Sequence, residues 1–356
     1  MITKRILLGF QLLVIGLIVL YSAVPSYSAE AGAGRITELS GKVLYREKPN
    51  VAYQDAKKNL EMQKGFWIKT GADGWAVLTL IDQSKLTLSN NTEIELTDLV
   101  IGKKKKTGIF SIAGGKLRAS VVKLAGEEVD YKVKSPTATA GIKGTEFLLM
   151  TQGLANVLFG NEGTVEVSGD TSASKPLTVD TMVQNTRGIT PADPVKIEPE
   201  TPLSAAKKNF EEVTAAAPPK DWEVSNNLPN IIARWNINYG HYLADTGKYE
   251  DALYVFQIAL DLTTLPEIRS DARLERGAVY ARFLNHPETA LAEYLLVLEE
   301  YPKVSQRETA LFLSGMTLYQ LGFNEQAKEK LLQYKNEYTS GKHLSNVETI
   351  LGVLNK

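Results

Sequence analysis

Between Gly34 and Gly169 apolar and polar positions alternate with a period of two. Trp75-Ala76-Val77-Leu78-Thr79-Leu80-Ile81 is rich in β-branched and aromatic residues, and Lys85–Leu88 and Glu93–Thr97 alternate along their length. Tyr131–Lys134 and Thr164–Val167 repeat the pattern. Turn formers separate these runs: Gly71 to Gly74, Asp82-Gln83-Ser84, Ser89-Asn90-Asn91, Gly114-Gly115 and Gly160 to Gly163. Many short strands at close spacing predict an all-β sandwich, barrel or roll over residues 32–169. No long amphipathic helix interrupts them, which argues against a doubly wound α/β domain.

The pattern changes twice more. Residues 170–229 hold Pro176, Pro191, Pro194, Pro199, Pro202, Pro218, Pro219 and Pro229 among Ser, Thr and Ala, and read as an extended linker. Within it a short helix at Leu203–Val213 and strands through Leu177–Val183 are compatible with the residues. From 230 to 356 the period is helical and the segment repeats itself. Gly240, Ala252, Phe256 and Ala259 share their spacing, to within one residue, with Gly277, Ala290, Tyr294 and Val297, and again with Gly315, Ala327 and Leu331. The glycine anchors lie 37 and 38 residues apart. The unit is a helix pair, in which a small residue in the first helix lets the second pack close.

At the N-terminus Lys4 and Arg5 precede an apolar run from Ile6 to Val24. A small-x-small pattern follows at Ala29-Glu30-Ala31, with Ser26-Tyr27-Ser28 as a second candidate. Residues 1–31 therefore read as a cleaved signal peptide or an uncleaved membrane anchor, since the run is long for the first and nearly long enough for the second. Both place the remainder in the periplasm or another extracytoplasmic compartment.

Composition removes several chemistries. The chain of 356 residues has no cysteine, so disulfides, thiolate metal sites and a cysteine nucleophile are excluded together. The formal net charge of −1 points to no nucleic-acid partner. His241, His286 and His343 are far apart and begin no zinc motif. The sequence around Gly141 and Gly144 lacks the spacer of a phosphate loop. No nucleophile elbow occurs. The expectation is a binding protein with no cofactor, not an enzyme.

Two resemblances sharpen this. Thr70–Ser84 (TGADGWAVLTLIDQS), Gly114–Ala119 (GGKLRA) and Ser135–Phe147 (SPTATAGIKGTEF), followed by Glu162–Val167, resemble the FecR domain in order and spacing. That resemblance implies an extracytoplasmic β module whose glycines and apolar positions are structural. Signalling members of that family carry a sigma-binding cytoplasmic segment, whereas only Met1–Arg5 precede the apolar run here. The helical half, best at Gly247–Leu260 (GKYEDALYVFQIAL), resembles the tetratricopeptide repeat. It departs in its longer spacing and in the absent first-helix Trp, whose place Asn236, Arg273 and Leu311 hold.

By that second resemblance a concave face takes Arg234, Ile237, His241, Ala244 and Asp245 from the first repeat. Asp271, Leu274, Ala278, Ala281 and Arg282 come from the second, and Thr309, Phe312, Met316, Tyr319 and Gln320 from the third. This mixture suits a peptide or protein segment. Separately, Lys103-Lys104-Lys105-Lys106 reads as a hairpin tip able to hold an anionic surface, at about 1 kcal/mol per lysine. The plainer role of such a tip is to discourage edge pairing. The expected function is an envelope adaptor or scaffold. A sensor in a FecR-type relay and a glycan-binding accessory protein, with peptidoglycan or another anionic polymer as ligand, stand as alternatives.

Overall fold

The computed structural model describes residues 32–102, 104–219 and 227–355. The expected signal or anchor segment and Lys103 lie outside the described residues. Residues Gly32–Lys356 form one compact unit, β in its first part and helical in its second.

The strands are β1 (Gly34–Ser40), β2 (Val43–Arg46), β3 (Gln54–Asp55), β4 (Glu61–Met62), β5 (Trp67–Thr70), β6 (Trp75–Leu80), β7 (Lys85–Leu88), β8 (Glu93–Ile101), β9 (Lys105–Ser120), β10 (Glu128–Lys134), β11 (Thr139–Ile142), β12 (Glu146–Gln152), β13 (Ala155–Glu162), β14 (Val165–Ser168), β15 (Ser174–Leu177), β16 (Thr181–Thr186) and β17 (Val195–Lys196). One sheet runs β4-β1-β6-β7-β9-β12-β13-β16-β17. The other runs β3-β2-β5-β8-β9-β10-β11-β14-β15. They close on a shared core that includes Ile36, Leu78, Leu86, Leu117, Phe147 and Leu149 from the first sheet, and Ile68, Ile94, Phe110, Tyr131 and Val165 from the second.

Both sheets contain β9. Gly114-Gly115, expected to separate two strands, instead bends one strand of 16 residues from one sheet into the other. Gly115 has φ 110°, and a Cβ there would collide with Thr92, so the bend requires glycine.

The expected linker is ordered where it is described. β15, β16 and β17 continue the sheets, and helix α1 (Pro202–Val213) follows. Thr201 and Ser204 cap α1 reciprocally, with Pro202 in the first turn, where its missing N–H costs nothing. Of the prolines that suggested a linker, Pro176 lies on the edge strand β15 and Pro202 and Pro229 open helices, positions proline tolerates, and the others lie in connecting segments.

The reason for this order lies in β12, β13 and β16. Phe147, Leu149, Leu158 and Val183 point into the sandwich. Their neighbours Leu148, Met150, Val157, Phe159 and Met182 point out of it, and are buried against Leu203, Ala206, Phe210 and Val213 of α1 and against the helices beyond. Phe159 meets Phe210 edge-on at 6.0 Å. Burying each outward side chain contributes about 1.5–3 kcal/mol. Polar contacts key the same junction. Gln184 and Asn236, both buried, exchange amide hydrogen bonds of 2.6 and 3.0 Å. Arg187 grips Asp261 with two bonds of 2.8 and 2.9 Å, and the Thr186 hydroxyl donates to the same carboxylate at 2.7 Å.

The helical part continues as α2 (Leu228–Asp245), α3 (Tyr249–Leu262), α4 (Pro266–Arg282), α5 (Pro287–Glu300), α6 (Gln306–Gln320), α7 (Asn324–Glu337) and α8 (Leu344–Leu354). α2 packs on α3, α4 on α5 and α6 on α7. The repeating glycines stand at the three close approaches: Gly240 beneath the Phe256 ring, Gly277 beneath Tyr294, and Gly315 beneath Leu331.

A Cβ at Gly240 would lie 2.5 Å from the Phe256 ring, whereas one at Gly352 would meet nothing within 4 Å. Gly240→Val is therefore expected to destabilise the protein by about 3 kcal/mol, and Gly352→Ala to stabilise it by about 0.5–1 kcal/mol. Denaturant unfolding of the two variants checks both signs. A second expectation concerns Asp261. Burial raises its pKa, but hydrogen bonds from Arg187, Thr186 and Gln257 outweigh burial and hold it below the usual range. Its contribution is complete above the unfolded value of about 3.9 and is lost as pH falls through the lower folded value. Asp261→Asn should cost about 1–2 kcal/mol at neutral pH, with the gap to wild type closing in acid. A gap that does not change with pH would show that the carboxylate charge is not what holds the junction.

Candidate functional site

The first helices of the three hairpins, α2, α4 and α6, lie side by side. The residues expected on a concave face fall on them, and the structure divides those residues into two groups. Arg234 and Asp271 join α2 to α4 in a 2.5 Å ion pair, and Gln306 extends the chain to α6 by donating to Asp271 at 2.7 Å. His241 lies 3.2 Å from Glu275 on α4 and 3.4 Å from Asp245 on its own helix. These polar residues act first as ties between neighbouring helices.

The second group is apolar. Ile237 and Ala244 are buried, and Leu274, Ala278 and Ala281 are half-buried. Phe312 is almost fully buried and stacks on His343 with ring centroids 4.1 Å apart and planes within 5°. Met316 and Tyr319 are half-buried beside it, Thr309 is half-buried, and Arg282 and Gln320 are exposed. The face thus has an apolar floor, deepest on α6, with tethered polar groups at its α2–α4 end. An apolar floor of this kind is suited to burying inserted side chains.

Gln306, Glu275 and His343 belong to this face and were not anticipated. Gln306 and Glu275 lie on the same helices as the expected residues, but their partners come from neighbouring helices. His343 stands in the turn before α8, outside the repeat used to count positions. Burial, with Lys342 beside it, lowers the His343 pKa and favours the neutral ring that stacks on Phe312.

The lysine tip is corrected. β8 and β9 do form a hairpin there, with Ile101 opposite Lys106. Lys104 and Lys105 are exposed, and Lys105 pairs with Glu128 at 3.2 Å. Lys106 is buried, 2.6 Å from Glu127 and 3.5 Å from Asp82, so it cannot contact an outside surface. Strand alternation turns it inward, where its charge is needed. Tyr131 also donates to Asp82, at 2.9 Å. Burial lowers the Lys106 pKa, but Glu127 and Asp82 outweigh burial and leave it raised.

A cleft of about 320 Å³ opens elsewhere, where the β part meets the helices. Asn90, Lys116, Gln152, Asn230 and Thr263 line it. The Lys116 ammonium donates to the Asn90 amide at 2.9 Å, and burial pushes its pKa down to about 8. Its side chains come from five distant segments, so no local motif announces it.

Residues 67–166, from the start of β5 into β14, match the model of the FecR protein family. No curated protein matches the chain. Among solved structures, a candidate anti-sigma factor from Parabacteroides distasonis is 14% identical, covering 40% of this chain and 64% of that one, with a TM-score of 0.33. This chain thus spans less than two thirds of it. The type III secretion translocator chaperone SycD of Yersinia enterocolitica is 21% identical, covering 36% of this chain and 95% of that one, with a TM-score of 0.32.

Removing one member of the inward charge cluster leaves buried carboxylate without its cation. Lys106→Ala is expected to lower the melting temperature by several degrees, whereas Lys104→Ser leaves it unchanged. Equal melting temperatures for the two variants would contradict the inward placement of Lys106.

Proposed function

We propose that this chain is an extracytoplasmic adaptor of a bacterial cell envelope. In this reading its FecR-like β module and a tetratricopeptide-like array act together, and the array docks a segment of a partner protein. The observation that supports it most is the face of α2, α4 and α6. Met316 and Tyr319 stand half-open beside the buried Phe312, while Arg234, Asp271 and His241 are already held by neighbouring helices. An apolar floor with pre-ordered polar groups suits a peptide that inserts a few apolar side chains, because little side-chain entropy remains to be lost. The glycine-anchored hairpins favour the tetratricopeptide kind of array. The basic and apolar N-terminal sequence, together with the FecR match, favours export across the inner membrane. The protein works by binding, without turnover and without a cofactor.

A second reading is a sensor in a FecR-type signalling relay, and the match over residues 67–166 favours it. The two differ in what the partner does, not in where it docks.

Photo-crosslinking in the native host tests the docking face. A photoreactive residue in place of Tyr319 should give a discrete protein adduct, identified by mass spectrometry. Adding Met316→Glu should remove that adduct while the protein level stays constant. Adducts that persist with Met316→Glu, or that form equally from position 328 on α7, would show that the face is not the docking site.

A further inference from the structure

The sandwich has two ends, and they differ. At one end lie the turn from β1 to β2, the turn from β7 to β8 and the bend of β9. At the other lie the first described residues, the β6–β7 turn, the β8–β9 tip, the β9–β10 loop and the β11–β12 loop. The chain's first described residues belong to this second end: Gly34 sits opposite Leu80, and the Ile81 N–H donates to the Ala33 carbonyl.

Two kinds of residue crowd this second end. Ile81 and Leu124 are large apolar side chains at loop tips, 52% and 60% exposed. Leu124 is held outward by a tight turn in which Glu127 accepts from the Leu124 N–H and the Glu127 N–H donates back to the Leu124 carbonyl. Around them Lys85, Lys104, Lys123 and Lys143 are exposed and form no ion pair among the described residues. The acids nearby are largely engaged: Asp82 and Glu127 by Lys106, and Glu128 by Lys105. Glu162, and Glu61 beside Gly32, are exposed at the same end and offset two lysines. Exposed apolar tips ringed by unpaired lysines have the composition of a surface that inserts shallowly into a bilayer and holds anionic headgroups.

For the uncleaved form of the chain, sequence length supports the same occupant. Only residues 25–31 separate the apolar run ending at Val24 from Gly32, a reach of about 25 Å at full extension. We infer that this loop end is a membrane-docking surface, and that its partner is an anionic lipid bilayer. It holds the protein against the membrane through Ile81, Leu124 and the four lysines. The inference is independent of the array face proposed above, and either can fail alone.

Co-sedimentation of the Gly32–Lys356 unit with vesicles tests it. The unit should bind phosphatidylcholine vesicles containing phosphatidylglycerol at low salt, and bind pure phosphatidylcholine much less. Binding should weaken as salt screens the lysines. K85E/K104E/K123E/K143E should abolish it, and Ile81→Ser with Leu124→Ser should weaken it about tenfold or more. K303E/K328E, on the helical array, should leave it unchanged. Circular dichroism and melting curves confirm that each variant is folded. Absence of phosphatidylglycerol-dependent binding, an equal loss in the array variant, or binding to peptidoglycan sacculi in place of vesicles would overturn the inference.

Discussion

Everything in this molecule depends on a sheet whose two faces are both apolar. In β12, β13 and β16 consecutive residues, not alternate ones, are hydrophobic. Phe147 and Leu149 face the sandwich while Leu148 and Met150 face away from it, and Leu158 and Val183 oppose Val157, Phe159 and Met182 in the same way. A sandwich needs only its inner faces to be apolar. The outward set would form an exposed apolar patch if nothing covered it. The helices are that cover. The β part and the helical part are therefore parts of one fold, and the stretch between them is ordered wherever it is described, because it carries β16, β17 and α1 into the shared core.

The junction also decides which helical surfaces remain open. α1, α2 and α3 are committed to the sheet through Phe210, through Tyr254, whose hydroxyl accepts from the Thr186 N–H, and through the polar keys Gln184–Asn236 and Arg187–Asp261. The stack grows from there, each hairpin closing over a glycine, and α8 covers the last pair with Val347 and Leu351. Stacking leaves the face of α2, α4 and α6 open, since each layer satisfies the one before it along one direction only and the sides stay free.

Much of this was legible in the residues. β6, β7 and β8 begin where alternation predicted, and the three glycines marked the close helix approaches before any coordinate did. α1 starts one residue before the expected Leu203 and ends at the expected Val213. The continuous runs Phe147–Met150 and Val157–Phe159 were visible too, but a period-two reading treats them only as strand. That they needed a second layer follows from their lack of polar positions. The linker expectation failed because proline frequency says nothing about whether each proline lies at an edge or inside an element. Of the lysine tip, alternation itself held the answer: with Phe110 and Gly108 inward, Lys106 is inward as well. Arg234, Asp271 and His241 sit on the expected helices, but their partners come from neighbouring helices, and a repeat pattern assigns positions without assigning partners.

The geometry then bears on how the two surfaces relate. β13 and β16 run between the loop end, near Glu162 and Thr181, and the opposite end, near Ala155 and Thr186. Asp261 of α3 is fixed at Thr186 and Arg187, the end remote from the loops, while Lys207 of α1 pairs with Asp180 near the loop end. The helices are thus pinned at both ends of the same strands. Between the pins lie tightly packed apolar contacts, and packed cores of this kind do not deform continuously. Whatever holds the loop end also sets the position of the array, without a flexible tether between them. For the adaptor proposed above this arrangement would favour fixed placement of a bound segment over reach, because α4 and α6 are held at one height and orientation set by β13 and β16.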